Sequence, residues 1–135
     1  MMPVHFSAEV ATFLRRPIVS CLATINADGT PHLSYVWHEF TGDAFLISTE
    51  ESRVKARNLA RDGRAALSVL DPDNPYRWIT VNGRVTITRE GANDLILRLA
   101  LHYQGEAGRA YGQQLQGPGR VVLILAPERL TVTGF

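Results

Sequence analysis

Apolar and polar residues alternate in short runs along most of the chain, and in three places the period lengthens from two to the helical value. Val10, Phe13 and Leu14 fall at i, i+3 and i+4 behind Ser7, which predicts a short capped helix stopped by Arg15-Arg16-Pro17. Small and β-branched residues over 18–25 predict a strand, with Val19, Cys21, Ala23 and Ile25 alternating onto one face. The Asn26-Ala27-Asp28-Gly29 turn returns the chain along 32–40, and Thr41-Gly42-Asp43 turns it again into 44–49. A helix is expected over 51–62, with Ser52 as its cap and Gly63 as its stop. Strands follow at 65–70 and 76–88, the second carrying a bulge at Asn82-Gly83. Ala92, Ile96, Leu99 and Tyr103 mark a helix over 90–104. The Gly- and Gln-rich stretch 105–119 reads as irregular, with a short helical turn near Ala110. Two final strands, 121–126 and 129–133, are expected to meet at Pro127.

Seven strand segments joined mostly by tight turns, with two or three helices, predict a mainly β (α+β) architecture: an antiparallel barrel with helices outside it. A chain of 135 residues is one domain's worth, spanning 1–135, and buries roughly 70% of its unfolded surface. Apolar residues at 45% and charged residues at 20% exclude a disordered or collagenous chain. No apolar run approaches the ~18 residues of a membrane span, and the first residues show no basic segment leading an apolar one. With one cysteine besides, a cytoplasmic protein without a membrane partner is expected. Fourteen basic against 13 acidic residues give +1, so nucleic acid is not an expected partner. The strand at 65–70 is apolar at nearly every position, which predicts cover on both faces and hence a homodimer.

Candidate chemistry is concentrated in one segment. There is no G-x-S-x-G elbow, and Cys21 in mid-strand reads as a buried, inert thiol. His5, His32, His38 and His102 have no metal-ligand spacing and read as surface or cleft histidines. Residues 48–64 read STEESRVKARNLARDGR, placing Arg53, Lys55 and Arg57 in the first turns of the expected helix. Cations there oppose the helix dipole at ~0.3–1 kcal/mol each, yet with free backbone N–H groups they make an anion receptor. A solvated helix face neutralised by Glu50 and Glu51 accounts for the same residues equally well.

Three motifs in order decide between them: L-A-T-x-x-x-D-G-x-P-H, S-R-x-K-x-R-N-L and P-Y-R-x-x-x-V-x-G. Together, across residues 18–87, they resemble the pyridoxamine 5′-phosphate oxidase-like split-barrel flavoproteins. That resemblance implies a six-stranded antiparallel split barrel of Greek-key topology with peripheral helices. It also implies a homodimer with two cofactor sites at the interface. Carried onto this chain, it places Ser34, Tyr35 and Val36 beside the cofactor's ring, and Ile47, Ser48 and Thr49 along the ribityl and ring edge. Arg53, Lys55 and Asn58 match the positions that hold the phosphate, while Tyr76 and Trp78 match a segment reaching the cofactor from the other protomer. True pyridoxamine phosphate oxidases carry an Arg and a Lys where Ser34 and Glu39 stand here, so vitamin B6 oxidation is not expected. The remaining motif is more similar to the branch that uses the deazaflavin F420. The expectation is therefore an oxidoreductase moving a hydride between F420 and a small organic substrate. FMN is the alternative cofactor, and a non-catalytic carrier of flavin, haem or another tetrapyrrole is the rival function. Arg53, Lys55, Arg57, Arg61 and Arg64 are expected to form one basic groove for the longer anionic tail of F420. The rest of the pocket wall is expected from 105–119 and from the partner protomer.

Overall fold

A computed structural model describes residues 3–135. Helix α1 (Ala8–Leu14) starts where Ser7 Oγ accepts the Val10 N–H at 3.2 Å. Strands β1 (Ser20–Ile25), β2 (Pro31–Val36), β3 (Glu39–Phe40) and β4 (Phe45–Glu50) then precede α2 (Val54–Arg61). Next come β5 (Arg64–Leu70), β6 (Trp78–Thr88) and α3 (Ala92–Gln104). A 3-10 turn (Gly105–Gly108) leads into α4 (Arg109–Leu115), and β7 (Arg120–Thr133) ends the fold.

All seven strands form one antiparallel sheet in the order β2-β1-β5-β6-β7-β4-β3. Its two edges, β2 and β3, are joined by Trp37 and His38 alone. In a flat sheet of this order they would lie about 29 Å apart at ~4.8 Å per strand. Three Cα–Cα steps span at most about 11 Å. The sheet must therefore curl until its edges face each other across a split.

The inner face carries the main core: Leu22, Phe45, Ile47, Leu67, Ile79, Leu123 and Leu125 are almost fully buried. Val10, Phe13 and Leu14 of α1 and Leu59 of α2 join it. Outside the barrel, α3 lays Ala92, Leu95 and Leu99 on Val122, with Leu46 and Ile124 beside them. Among the described residues the outer face of β2, β1 and β5 has no such cover.

Seven strands replace the six that the resemblance implies, and they are cut differently from the seven read in the sequence. The expected strand 32–40 breaks at Trp37-His38 because the chain there leaves one sheet edge for the other. The expected pair 121–126 and 129–133 is instead one strand. Asn82 faces Arg129 and Gly83 faces Pro127, so Glu128 is the extra residue of a bulge. Pro127, which has no N–H, sits in that interruption and does not end the strand. Helix α2 begins at Val54 with Arg53 as N-cap and no side-chain cap, so Ser52 lies outside it. The Glu51 N–H bonds the Gly119 carbonyl (2.9 Å) and the Arg53 N–H bonds that of Glu50 (3.0 Å), which holds 51–53 in a turn. The stretch read as irregular is largely helical. Its Gly108 and Gly112 allow close approach to α3, where an added Cβ would stand 2.6 Å from the Ala100 carbonyl oxygen and 2.8 Å from Ala100 Cβ.

Gly83 is fixed by the same kind of proximity. A Cβ there would lie 2.1 Å from the Ala126 carbonyl oxygen, a backbone atom with no rotamer to escape into. Gly83→Ala is expected to destabilise the fold by about 2–3 kcal/mol, measured by denaturant unfolding.

Candidate functional site

Strand β3 pairs only with Phe45 and Leu46, so β4 from Ile47 onward has no strand beside it at the split. A cavity of about 360 Å³ opens there, within the usual range for small-molecule sites. One wall is Tyr35, Val36 and Trp37, where β2 ends; the opposite one is Ser48, Thr49 and Glu50 of β4. Ile96 and Leu99 of α3, with Tyr111 and Leu115 of α4, supply the apolar side. Arg53 and Lys55, where α2 begins, and Arg120 of β7 make its cationic side.

Arg120 is only 8% exposed, and its guanidinium ties β7 to both α4 and β4. Nε donates to the Leu115 carbonyl oxygen (3.1 Å), Nη1 to Ser48 Oγ (3.4 Å) and Nη2 to Glu50 Oε1 (3.3 Å). Among the described residues Glu50 is the one carboxylate lining a cavity with three cations. Burial, with repulsion from Arg53 and Arg120 added to it, holds the Lys55 ammonium below the usual lysine range. Burial likewise lowers Arg120, against the opposing pull of Glu50. An oxyanion entering here would relieve that repulsion.

Beneath Trp37 lies a buried polar cluster. His38 Nε2 donates to the Leu14 carbonyl oxygen (2.8 Å), which leaves Nδ1 to accept from the Ser20 hydroxyl (2.8 Å). The His38 N–H donates to Tyr103 Oη (3.0 Å), and that hydroxyl donates to the Ile18 carbonyl oxygen (2.8 Å). Burial lowers the His38 pKa and pushes Tyr103 up to about 12, so the imidazole is neutral and the phenol protonated. The Tyr103 ring stacks on Trp37 at 5.1 Å and 15°, and Tyr111 meets Trp37 edge-on at 6.4 Å. The cluster thus anchors the link that closes the barrel and fixes an aromatic wall of the cavity. His38 is therefore a core residue, not the surface or cleft histidine read from the sequence.

The residues singled out in the sequence divide into three groups. Tyr35, Val36, Ser48, Thr49, Arg53 and Lys55 meet in the cavity. Ile47 is fully buried in the core, and Asn58 is buried between Thr24 Oγ1 and Asn26 Oδ1, to both of which its Nδ2 donates at 3.0 Å. Ser34 does not line the cavity either. Tyr76 and Trp78 lie away from the cavity within one chain, Tyr76 exposed and Trp78 half-buried. Helical geometry also divides the expected basic groove. Arg57 borders a different depression beside Arg89, and Arg61 Nη2 is held by the Ile25 carbonyl oxygen (2.9 Å) and Asn58 Oδ1 (3.0 Å). Arg64 is paired with Asp62 at 2.7 Å. Glu39 is engaged by Arg98 through Nε (3.0 Å) and Nη2 (3.2 Å) and does not line the cavity. Trp37, Glu50, Tyr111 and Arg120 were not legible as site residues. Segment 105–119 was expected in the wall, and Tyr111 and Leu115 come from it.

The donor set fits a planar, phosphate-bearing cofactor. Three cations mark one side, and aromatic and aliphatic surface the other. An antiparallel barrel split beside such a cavity defines a split-barrel protein with a candidate small-molecule site. The chain belongs to the pyridoxamine 5′-phosphate oxidase family, whose sequence model matches residues 6–134. It is 31% identical over 131 residues to the F420H(2)-dependent biliverdin reductase of Mycobacterium tuberculosis, covering 93% of this chain and 87% of that one. Among solved structures it is similar to an F420 reductase, with TM-score 0.78 and 30% identity over 95% of this chain and 98% of the other. A conserved hypothetical protein of Mycobacterium tuberculosis superposes with TM-score 0.80 and 26% identity, over 97% and 86% of the two chains. Among the described residues no helix is long and apolar enough to cross a membrane.

The buried imidazole gives stability a dependence on acid. The unfolded chain protonates His38 near the ordinary value of 6.5, while the folded protein resists until lower pH. Its contribution is complete above about pH 6.5 and is lost as the pH falls, at no more than about 1.4 kcal/mol per pH unit. We expect unfolding free energies measured between about pH 7 and pH 5 to decline, and His38→Gln to flatten that decline.

Proposed function

We propose that the cavity binds the deazaflavin F420 and that the protein is an oxidoreductase moving a hydride between it and a small organic substrate. The observation that carries this reading is the cluster of Arg53, Lys55 and Arg120 beside an aromatic wall, in a chain 30–31% identical to two proteins named for F420. When bound, F420 supplies two-electron hydride chemistry, and the protein's part is to bind, orient and exclude water. The three cations receive the phosphodiester. Tyr35, Val36 and Trp37 would line the site on one side, and the unpaired edge of β4 would offer backbone groups on the other. Ile96, Leu99 and Leu115 keep that end of the site apolar.

FMN is the second reading, and the placement of charge favours it more than the sequence did. Because Arg61 and Arg64 stand elsewhere, the cations at the cavity are concentrated as a single terminal phosphate requires. Glu39 adds no repulsion there. The test is titration of the protein with both cofactors at low and high salt. We expect F420 to bind more tightly, with an affinity that falls as salt rises. Arg53→Ala and Lys55→Ala should each weaken it about ten- to a hundred-fold. FMN binding more tightly at every salt concentration would replace F420 as the cofactor.

The uncovered sheet face supports a homodimer with the site at its edge. Tyr35 (80% exposed), Leu33 (65%), Val19 (52%) and Leu70 (50%) stand on it around the small side chains of Cys21, Ala23, Ala66 and Ser68. Cys21 is thus half-buried on this face and not within the core. Such a patch of small residues ringed by large apolar ones suits a second copy, and Tyr35 both borders the cavity and projects from the patch. Sedimentation at micromolar concentration should give a dimer, and Leu33→Glu should give a monomer. A monomeric parent protein would exclude the arrangement.

A further inference from the structure

The basic residues of this chain are almost all of one kind: of 14, thirteen are arginine, and Lys55 is the one lysine. A guanidinium stays protonated in proteins, whereas an ammonium loses its proton readily when desolvated or crowded by other cations. Lys55 meets both conditions. It is half-buried in the cavity wall, and the charged groups acting most strongly on it are the cations Arg53 and Arg120. The other titratable groups lining the cavity are Glu50, which Arg120 engages, Tyr35 and Tyr111. The chain's one side-chain amine therefore stands where oxyanions are attracted.

We propose that Lys55 is a site of covalent acylation by acyl phosphates. Such an electrophile carries its own handle for this cavity: Arg53 and Arg120 receive the phosphate, which brings the adjoining carbonyl carbon to the amine. In the step, Lys55 Nζ forms a bond to the acyl carbon and the bond from that carbon to the phosphate oxygen breaks. Inorganic phosphate leaves with the electron pair, and the proton lost from nitrogen passes to it or to water. The product is a neutral amide. The same guanidinium groups stabilise the charge that develops on the departing phosphate. Acylation removes one of three cations from the cavity, so it would lower the affinity for any phosphate-bearing cofactor. This last consequence rests on the cofactor reading above; the chemical step rests on the cavity alone.

The test is incubation of the full chain with acetyl phosphate near neutral pH, with Nα-acetyl-lysine in the same solution as reference. Acetylation at Lys55 is followed by mass spectrometry. We expect Lys55 to react at least about ten-fold faster than the reference, because a phosphate held in the cavity keeps the acyl carbon beside the amine. Millimolar inorganic phosphate should suppress the reaction, Arg53→Gln should slow it and Lys55→Arg should abolish it. A rate equal to the reference, or one indifferent to phosphate, would overturn the proposal. The acetylated protein is then titrated with F420. Weakened binding supports both the acylation site and the cofactor reading, whereas rapid acetylation with unchanged F420 affinity leaves the site standing and removes Lys55 from the cofactor's contacts.

Discussion

The rest of the structure depends on the two-residue link of Trp37 and His38. It joins strands that the hydrogen-bonding order places at opposite edges of a seven-stranded sheet, and so forces the sheet to curl. Closure by so short a link brings the edges face to face without pairing them, because β3 is spent after two residues. The split is thus a consequence of topology, and the cavity is the split. The link is held by hydrogen bonds to α1, β1 and α3 that converge on His38, so the wall contributed by Trp37 is fixed from beneath. A buried imidazole with both ring nitrogens engaged costs little as long as it stays neutral, and its surroundings keep it so.

Charge at the cavity is arranged against local stability. Lys55 and Arg53 stand where α2 begins, whose dipole already favours anions, and Arg120 is buried within their reach. Among the described residues only Glu50 offsets them inside the cavity, while Glu39 is engaged by Arg98 and Asp62 by Arg64. Concentrated, partly desolvated positive charge of this kind is what an anionic ligand would relieve. The tie from Arg120 to the Leu115 carbonyl joins the cationic side of the cavity to α4, which supplies part of its apolar side.

The two outer faces of the barrel are treated differently. Over β7 and β4 the chain provides its own cover in α3, with α4 drawn against it through Gly108 and Gly112. Over β2, β1 and β5 the described residues provide none, and there the side chains are small except at the margins. A face of that composition is neither a solvated surface nor a core in its own right, and it borders the cavity at Tyr35.

The sequence by itself determined the elements whose cause is local: the Ser7 cap, the Asn26–Gly29 and Thr41–Asp43 turns, the bulge beside Gly83 and the stripe of α3. It also determined the motif that carries Arg53 and Lys55 and the family resemblance built on it. Only the tertiary structure decided which faces of the strands lie inside. The alternation of Val19, Cys21 and Ala23 looks like a core face, yet Ser20, Leu22 and Thr24 are the residues turned inward, the two polar ones satisfied by His38 and Asn58. Period-two patterning identifies a pair of faces but not which of them is inside when both are apolar enough to be buried. Tertiary structure alone also brought Arg120, Trp37 and Tyr111 to the cavity, from three segments with no shared spacing. It dispersed Arg57, Arg61 and Arg64 from the expected groove, because a helix turns about 100° per residue, the Ile25 carbonyl of β1 holds Arg61, and Asp62 pairs with Arg64. Local chemistry is written in neighbouring residues, whereas a cavity at a sheet's split is made by residues far apart in the chain, which only closure of the barrel assembles.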